Sequence, residues 1–198
     1  VFFGMRSWLW DKETNDARMH SRRDSLTVLM NLDSRDGKVF KDGERVTNPD
    51  TIDKYLKVGY RSWANDSYWL FMPFKVFDPG VRLTYKGKEA TPRGEEAHVV
   101  RLTYDSVGVT PENQYDVYID PESKLVKAWQ YYPEPGAKPI TTPWTGYRNY
   151  NGLKLANNRG ANYKLSEISV RDSLNRAVFD TYNPYDSLNS PTKDQPVP

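Results

Sequence analysis

The chain has 198 residues, and its 28 basic and 26 acidic side chains leave a formal net charge of only +2, spread along the sequence. Because no large field of one sign is available to attract a polyanion, nucleic acids and anionic membranes are disfavoured as partners. Cysteine is absent, which excludes disulfides, thiolate metal sites and cysteine nucleophiles from these residues.

Length and composition favour one mainly β domain. A chain of this size fits roughly 100–200 residues per domain, and we predict a single domain over 1–182. Aromatic residues make up 14% of the chain and all hydrophobic residues only 37%, so rings must supply much of the core, as in pleated sheets. The longest apolar run, 68–74, is shorter than the roughly 20 residues that span a bilayer, so we expect no transmembrane segment.

The first third of the chain predicts an antiparallel meander. Segment 1–11 is apolar on both alternating faces, as in a strand covered on both sides, and 26–32 alternates as a second strand. Asp36-Gly37 and Asp42-Gly43 are hairpin signals around a short strand over 38–41. Because Val1 lies inside a predicted strand, we expect that an upstream segment, with any export signal or lipidated cysteine, has been removed. A basic cluster is interpreted as a solvated hairpin: Arg18, His20, Arg22 and Arg23.

One amphipathic helix is predicted from Pro49 to about Asn65. Asn48 supplies an N-cap, and the proline after it suits the first helical position. Apolar residues at helical spacing form the face that packs down: Ile52, Tyr55, Leu56, Gly59 and Trp63. An aromatic segment over 68–74 follows the helix, and a turn at 78–80 ends it.

The remaining sequence predicts strands over 81–86, 97–105, 114–120, 125–132, 144–150, 153–158 and 163–171. We therefore predict a mainly antiparallel β fold (α+β), with about 8–11 strands in a highly curved, unclosed barrel or half-barrel wrapped around one main helix. The end of the chain, 183–198, is rich in Pro, Asp and Ser and predicts an extended or disordered tail.

Motifs that carry chemistry are missing from the sequence. It contains no glycine-rich phosphate loop, nucleophile elbow, zinc-protease motif or dinucleotide fingerprint. His20 and His98 lie in strand-like segments without metal-ligand spacing. A carboxylate pair such as Asp116 and Asp120 would suit glycoside hydrolysis only at a separation that sequence does not reveal. We predict a protein that is not an enzyme and uses no cofactor and no metal.

Aromatic side chains around the helix exit form the candidate ligand site. Core packing accounts for most of them, yet one helix covers only part of a sheet of this many strands, so the uncovered surface could enclose an apolar cavity. The ligand would be a hydrophobic small molecule or an acyl chain. The candidate lining residues are Trp8, Trp10, Trp63, Trp69, Phe71, Met72, Phe74 and Trp129. The alternative is a glycan-binding or cell-surface interaction module whose exposed rings stack on sugars: Trp129, Tyr131, Tyr132 and Trp144.

Four segments resemble a family of exported Gram-negative bacterial proteins known as a domain of unknown function. They are WLWDK at 8–12, NDSYWLFMPFK at 65–75 with DPGV at 78–81, YDVYID at 115–120 and NYNGLKL at 149–155. In arrangement that family is similar to the LolA/LolB lipoprotein carriers, in which a curved, unclosed antiparallel sheet surrounds helices. The resemblance implies a periplasmic or outer-membrane-associated location and a lipid-like cargo. It also implies a lipoprotein or another envelope protein as a further candidate partner.

Overall fold

The computed structural model of the chain describes residues 6–105, 108–161 and 163–182. Their contacts group into two compact units. The first unit comprises the described residues of Val1–Trp63 and Asp172–Pro198, and the second unit those of Ala64–Arg171. The single domain over 1–182 stays a prediction. The predicted tail at 183–198, like the first five residues of the predicted first strand, lies outside the described residues.

Twelve strands are described, and every hydrogen-bonded pair among them is antiparallel. The first unit holds β1 (Arg6–Trp10), β2 (Asp16–Ser21), β3 (Leu26–Asn31), β4 (Gly37–Lys41) and β5 (Glu44–Arg45). The second unit holds β6 (Val81–Ala90), β7 (Glu96–Tyr104), β8 (Gln114–Ile119), β9 (Val126–Tyr132), β10 (Ile140–Pro143), β11 (Thr145–Tyr150) and β12 (Leu153–Asn158). The helix α1 (Pro49–Phe71) links the two sets of strands, and short 3₁₀ turns cover Met72–Phe74 and Arg176–Phe179.

The predicted mainly antiparallel β fold with one helix is confirmed for the described residues. The strands do not form one continuous sheet of 8–11 strands. They form two five-stranded sheets, ordered β1-β2-β3-β4-β5 and β10-β9-β8-β7-β6, and a two-stranded sheet β11-β12, none of which is closed. The division falls where β5 ends after two residues and the 23-residue α1 interrupts the run of hairpins.

The helix begins where the sequence predicts and ends six residues later than predicted, at Phe71 instead of Asn65. At its start the backbone N–H of Thr51 donates to Oδ1 of Asn48 at 3.0 Å, which is the expected cap. The segment 68–74 was expected to follow the helix, but it completes the helix and the 3₁₀ turn after it. Pro73 is tolerated there because the first positions of a 3₁₀ or α-helical turn need no intrahelical N–H donor. No helix among the described residues is both long and apolar enough to cross a membrane.

In the first unit, the N-terminal part of α1 packs on one side of the sheet. Gly59 permits the close approach, since a Cβ there would lie 2.5 Å from Cε of Met30 and 3.0 Å from Cγ1 of Val28. Trp63 meets Trp10 edge to face, with the ring centroids 5.5 Å apart. The buried residues of this core are Ala17, Met19, Leu26, Val28, Met30, Leu32 and Val39.

The other side of the first sheet is covered by the segment 172–182. Arg18, on β2, is only 3% exposed, and its Nη1 donates to the carbonyls of Val178 at 3.0 Å and Thr181 at 2.8 Å. Arg176 forms ion pairs with Asp11 and Asp16. The interpretation of the Arg18 cluster as a solvated hairpin is therefore wrong for Arg18, because a segment some 160 residues away in the chain buries it.

The second five-stranded sheet has two chemically different sides. We call the side against which the end of α1 packs the helix side. It carries Leu83, Tyr85, Val100, Leu102, Tyr115, Val117 and Trp129, which the strand register places in rows. The opposite, outer side carries Val99, Arg101, Asp116, Tyr118, Ala128 and Gln130.

Two details of the second unit differ from the sequence prediction. The predicted strand over 163–171 is wrong, since its described residues contribute only an isolated bridge between Lys164 and Asn158. Glu167 has a φ of 55°, which is incompatible with a continuous extended run. Conversely, the sequence does not predict β10, whose Pro143 is tolerated because β10 is an edge strand.

Candidate functional site

The eight candidate lining residues divide between the two units. Three belong to the core of the first unit, three to the core of the second unit, and two lie at the surface of the second unit. The groups are Trp8, Trp10 and Trp63; Trp69, Met72 and Trp129; and Phe71 with Phe74. Each group is therefore considered with its own neighbours.

Trp129 is the centre of a packed aromatic core in the second unit, with only 2% of its surface exposed. Trp69 and Trp144 both meet it edge to face at centroid distances of 5.2 Å, and Tyr68 stacks on it at 5.8 Å. Aromatic pairs of this kind contribute about 0.5–1.5 kcal/mol each beyond the area they bury. These rings fill the space under the helix end, so they act here as core.

The same core contains a hydrogen-bonded pair of tyrosine hydroxyls. The phenol oxygens of Tyr68 and Tyr104 lie 2.5 Å apart, so that each satisfies the other's polar group in an apolar setting. Burial raises the pKa of Tyr104 to about 12 and that of Tyr68 further still. Both hydroxyls therefore stay protonated at neutral pH, and neither can act as a general base.

Arg159, which the sequence analysis did not identify, secures the end of α1. Its guanidinium lies 3.5 Å from the ring centroid of Trp144, and its Nε and Nη2 donate to the carbonyl of Trp69 at 3.1 and 2.5 Å. A cation at a helix C-terminus is favourable, because the carbonyl ends there carry partial negative charge. Burial lowers the pKa of Arg159 to about 10, so the side chain remains cationic at neutral pH. Only the fold could reveal this residue, since no motif surrounds it.

Asp116 and Asp120, the carboxylates considered for glycoside hydrolysis, have separate structural roles. Asp116, on the outer side, accepts from Nε and Nη2 of Arg101 at 2.7 and 2.6 Å, from Lys86 at 3.2 Å and from the hydroxyl of Tyr132 at 3.0 Å. Burial alone would raise the pKa of Asp116, but these hydrogen bonds outweigh it and hold the pKa below its usual value. Asp120 instead accepts from the N–H and hydroxyl of Ser123 in a turn. Asp116 is thus ionised at neutral pH and engaged by three side chains, and it has no proton to transfer there.

The rings named for glycan stacking are not available for that role as a set. Trp129 and Trp144 are only 2% and 1% exposed. Tyr132 is half-buried and hydrogen-bonds Asp116, while the hydroxyl of Tyr131 donates to Asn113 at 3.2 Å. A sugar cannot stack on the face of a ring that other side chains cover.

Two pockets lie in the first unit. The larger, about 600 Å³, is wide open and has a rim of both charges, with Arg23 and Lys41 beside Asp24 and Asp42. The smaller lies beside Trp8 and Arg18 and has no room for a ligand. Neither is an enclosed apolar cavity of the kind expected from the sequence.

The helix side of the second sheet remains apolar beyond the part that α1 covers. Under the helix end Leu102 is 1% and Val117 3% exposed. On the edge strand β6, Leu83 lies opposite Leu102 but is 41% exposed, and Tyr85 lies opposite Val100 and is 60% exposed. We call this surface, made by Leu83, Tyr85 and Val100, the open apolar strip. This strip adjoins the buried core under the helix end on one side and solvent on the other.

Further apolar surface precedes β6 in the chain. Phe71 and Phe74 pack edge to face with their centroids 6.5 Å apart, and Phe74 is still 55% exposed. Phe77, in the turn before β6, is 87% exposed. Large exposed apolar groups in one region of a surface mark an interaction site more often than isolated ones do.

A scan against protein-family models, a search of curated proteins and a search of solved structures each found no match to this chain.

Proposed function

We propose that this protein is a non-enzymatic binding protein that holds a lipid-like or other hydrophobic ligand against the open apolar strip, beside the end of α1. One observation carries the proposal. The helix side of the second sheet stays apolar up to its edge strand, while Leu83 and Tyr85 remain 41% and 60% exposed. A soluble chain gains little from apolar side chains placed there unless something covers them.

The chemistry of the strip favours an acyl chain over a polar substrate. Leu83, Tyr85 and Val100 offer mainly dispersion contacts and area burial, at about 25 cal/mol per Å² of apolar surface. Such contacts select weakly among chain lengths. The non-enzymatic character of the proposal is supported by the roles of the buried ionisable groups described above, since Asp116 and Arg159 are each engaged by neighbouring protein groups.

The cellular setting of the proposal comes from the sequence resemblance. An exported protein of the Gram-negative envelope, in the periplasm or at the outer membrane, would meet acyl chains of lipids or lipoproteins. The LolA/LolB-like half-barrel belongs to the same proposal. It is supported by the antiparallel pairing of all described strands and by the placement of α1 residues in the core of each unit.

A pair of substitutions on neighbouring β6 positions tests the strip directly. Leu83→Gln makes the strip polar, whereas Thr84→Gln changes the next residue, which points to the outer side and is also exposed. With the uncharged fluorophore N-phenylnaphthylamine as probe, we expect Leu83→Gln to weaken binding about five- to tenfold, because a leucine contact worth roughly 1–1.5 kcal/mol is lost. Thr84→Gln should bind as the unchanged protein does.

Native mass spectrometry of the full chain, followed by solvent extraction, provides an independent measurement. We expect a co-purifying lipid whose amount falls in Leu83→Gln and not in Thr84→Gln. The proposed function is wrong if the unchanged protein takes up neither probe nor lipid, or if the two variants lose binding equally.

A further inference from the structure

The open apolar strip ends in a group of four polar side chains. They lie where β6 and β7 leave the buried core: Tyr85, Lys88, Glu96 and His98. A β-bulge between Tyr85 and Gly87 shifts the register by one residue, so that Lys88 lies opposite His98. Since directly paired residues share a side of the sheet, the bulge returns Lys88 to the side that carries Leu83 and Tyr85.

Two hydrogen bonds organise this polar group. The hydroxyl of Tyr85 lies 2.8 Å from Nδ1 of His98, and Nζ of Lys88 donates to Oε1 of Glu96 at 2.8 Å. The hydrogen bond between Lys88 and Glu96 raises the pKa of Lys88 and lowers that of Glu96, so both side chains are charged at neutral pH. With Nδ1 engaged, Nε2 is the ring atom of His98 that can meet a ligand.

We infer that Tyr85, Lys88, Glu96 and His98 form a head-group site at the end of the strip, and that the ligand is a single-chain amphiphile with an uncharged, hydrogen-bonding head. This inference rests on the proposed function, because the chain of the amphiphile would lie on the strip. An amphiphile needs an apolar surface that becomes polar at one end. The surface changes in that way, from buried Leu102 through half-exposed Leu83 to the hydrogen-bonded Tyr85–His98 pair. The distance from Val81 to Tyr85 along β6 is about 13 Å, at roughly 3.3 Å per residue.

The charge of the group decides the class of head. Lys88 contributes one positive charge and Glu96 one negative charge, and because they pair with each other at 2.8 Å their charges cancel. A carboxylate or phosphate head would gain from Lys88 and be repelled by Glu96. Hydroxyl and ester groups carry no such penalty. They can accept from the remaining N–H groups of Lys88 and exchange hydrogen bonds with Nε2 of His98 and the hydroxyl of Tyr85.

Displacement of bound N-phenylnaphthylamine by chain-matched amphiphiles tests the inference on the full chain. The competitors are dodecanoylglycerol, dodecanoate and dodecyl phosphate, at slightly alkaline pH. We expect dodecanoylglycerol to displace the probe at a concentration about three- to tenfold lower than either anion. Glu96→Gln removes the negative charge that pairs with Lys88. It should therefore remove this preference by strengthening binding of the two anions.

Tyr85→Phe keeps the ring and removes the hydroxyl. With each displacement constant corrected for the affinity of the variant for the probe, Tyr85→Phe should weaken binding of dodecanoylglycerol about threefold to tenfold, the range of one neutral hydrogen bond. Tyr118→Phe is the matched control, because that hydroxyl donates to Gln130 on the outer side. Tyr118→Phe should leave the displacement by all three competitors unchanged.

The outcomes separate this inference from the proposed function. If the probe binds and is displaced equally well by all three amphiphiles, with Glu96→Gln and Tyr85→Phe unchanged, the head-group site is wrong and the apolar strip stands. Tighter binding of the anions to the unchanged protein overturns the uncharged head. Failure of the probe to bind overturns the strip and the head-group site together.

Discussion

Replacing Trp129 by alanine should destabilise the second unit by about 3–5 kcal/mol, the cost of removing a large ring from a packed core. Trp129 is 2% exposed and touches Tyr68, Trp69 and Trp144 within 5.8 Å between centroids. Removing it takes away these ring contacts and leaves a cavity that stacked neighbours cannot fill by collapse. Denaturant unfolding followed by far-ultraviolet circular dichroism measures the loss as a lower midpoint with an unchanged slope.

The exposed Phe77 supplies the matched control. Phe77→Ala is also a large-to-small change of an aromatic residue in the second unit, but the side chain is 87% exposed, so its stability effect should lie within about 0.5 kcal/mol. The sequence analysis placed Trp129 among ligand-lining residues. If Trp129→Ala unfolds at the same denaturant concentration as the unchanged protein and loses only probe binding, that role is correct and the core role argued here is wrong.

Asp116→Asn should produce the second large effect, a destabilisation of about 2–4 kcal/mol at neutral pH. Removing one partner of a buried ion pair costs about 3–5 kcal/mol, because the other charge stays desolvated. The side chains of Arg101 and Lys86 are 30% and 34% exposed and can recover some hydration, which lowers the cost. The asparagine still accepts one hydrogen bond, and it keeps the shape of the site.

The same substitution has a pH signature with a definite sign. The pKa of Asp116 is lowered in the folded protein, so its ionised form stabilises the fold above the ordinary aspartate pKa of 3.8. That contribution is lost as the pH falls below about 4 and passes through the lowered pKa. The difference in unfolding free energy between Asp116→Asn and the unchanged protein should therefore shrink in acid. The exposed Asp36→Asn is the control, and a difference that is independent of pH would mean that the network contributes nothing through its charge.

Local signals in the sequence predicted much of the secondary structure. Asp42-Gly43 form the turn between β4 and β5 with φ values of 52° and 88°, as that dipeptide favours. The cap at Asn48 marks the start of α1, and the alternation of Val81, Leu83 and Tyr85 marks β6. These features depend on residues close together in the chain. The end of α1 was missed because a short aromatic run suits the end of a buried helix as well as a strand.

The tertiary structure alone decided which side chains are buried and what they touch. The carbonyls that accept hydrogen bonds from Arg18 lie 160 and 163 residues away in the chain. The carbonyl at the end of α1 that accepts from Arg159 lies 90 residues away. Trp129 is buried in the core and Tyr85 is exposed, although both lie in strands with the same alternation of apolar and polar residues. Alternation assigns a residue to a side of the sheet. Whether that side is covered at a given row depends on where a distant helix ends. The sequence by itself therefore determined the helix start and many of the strands, though not β10, while the fold determined the open apolar strip.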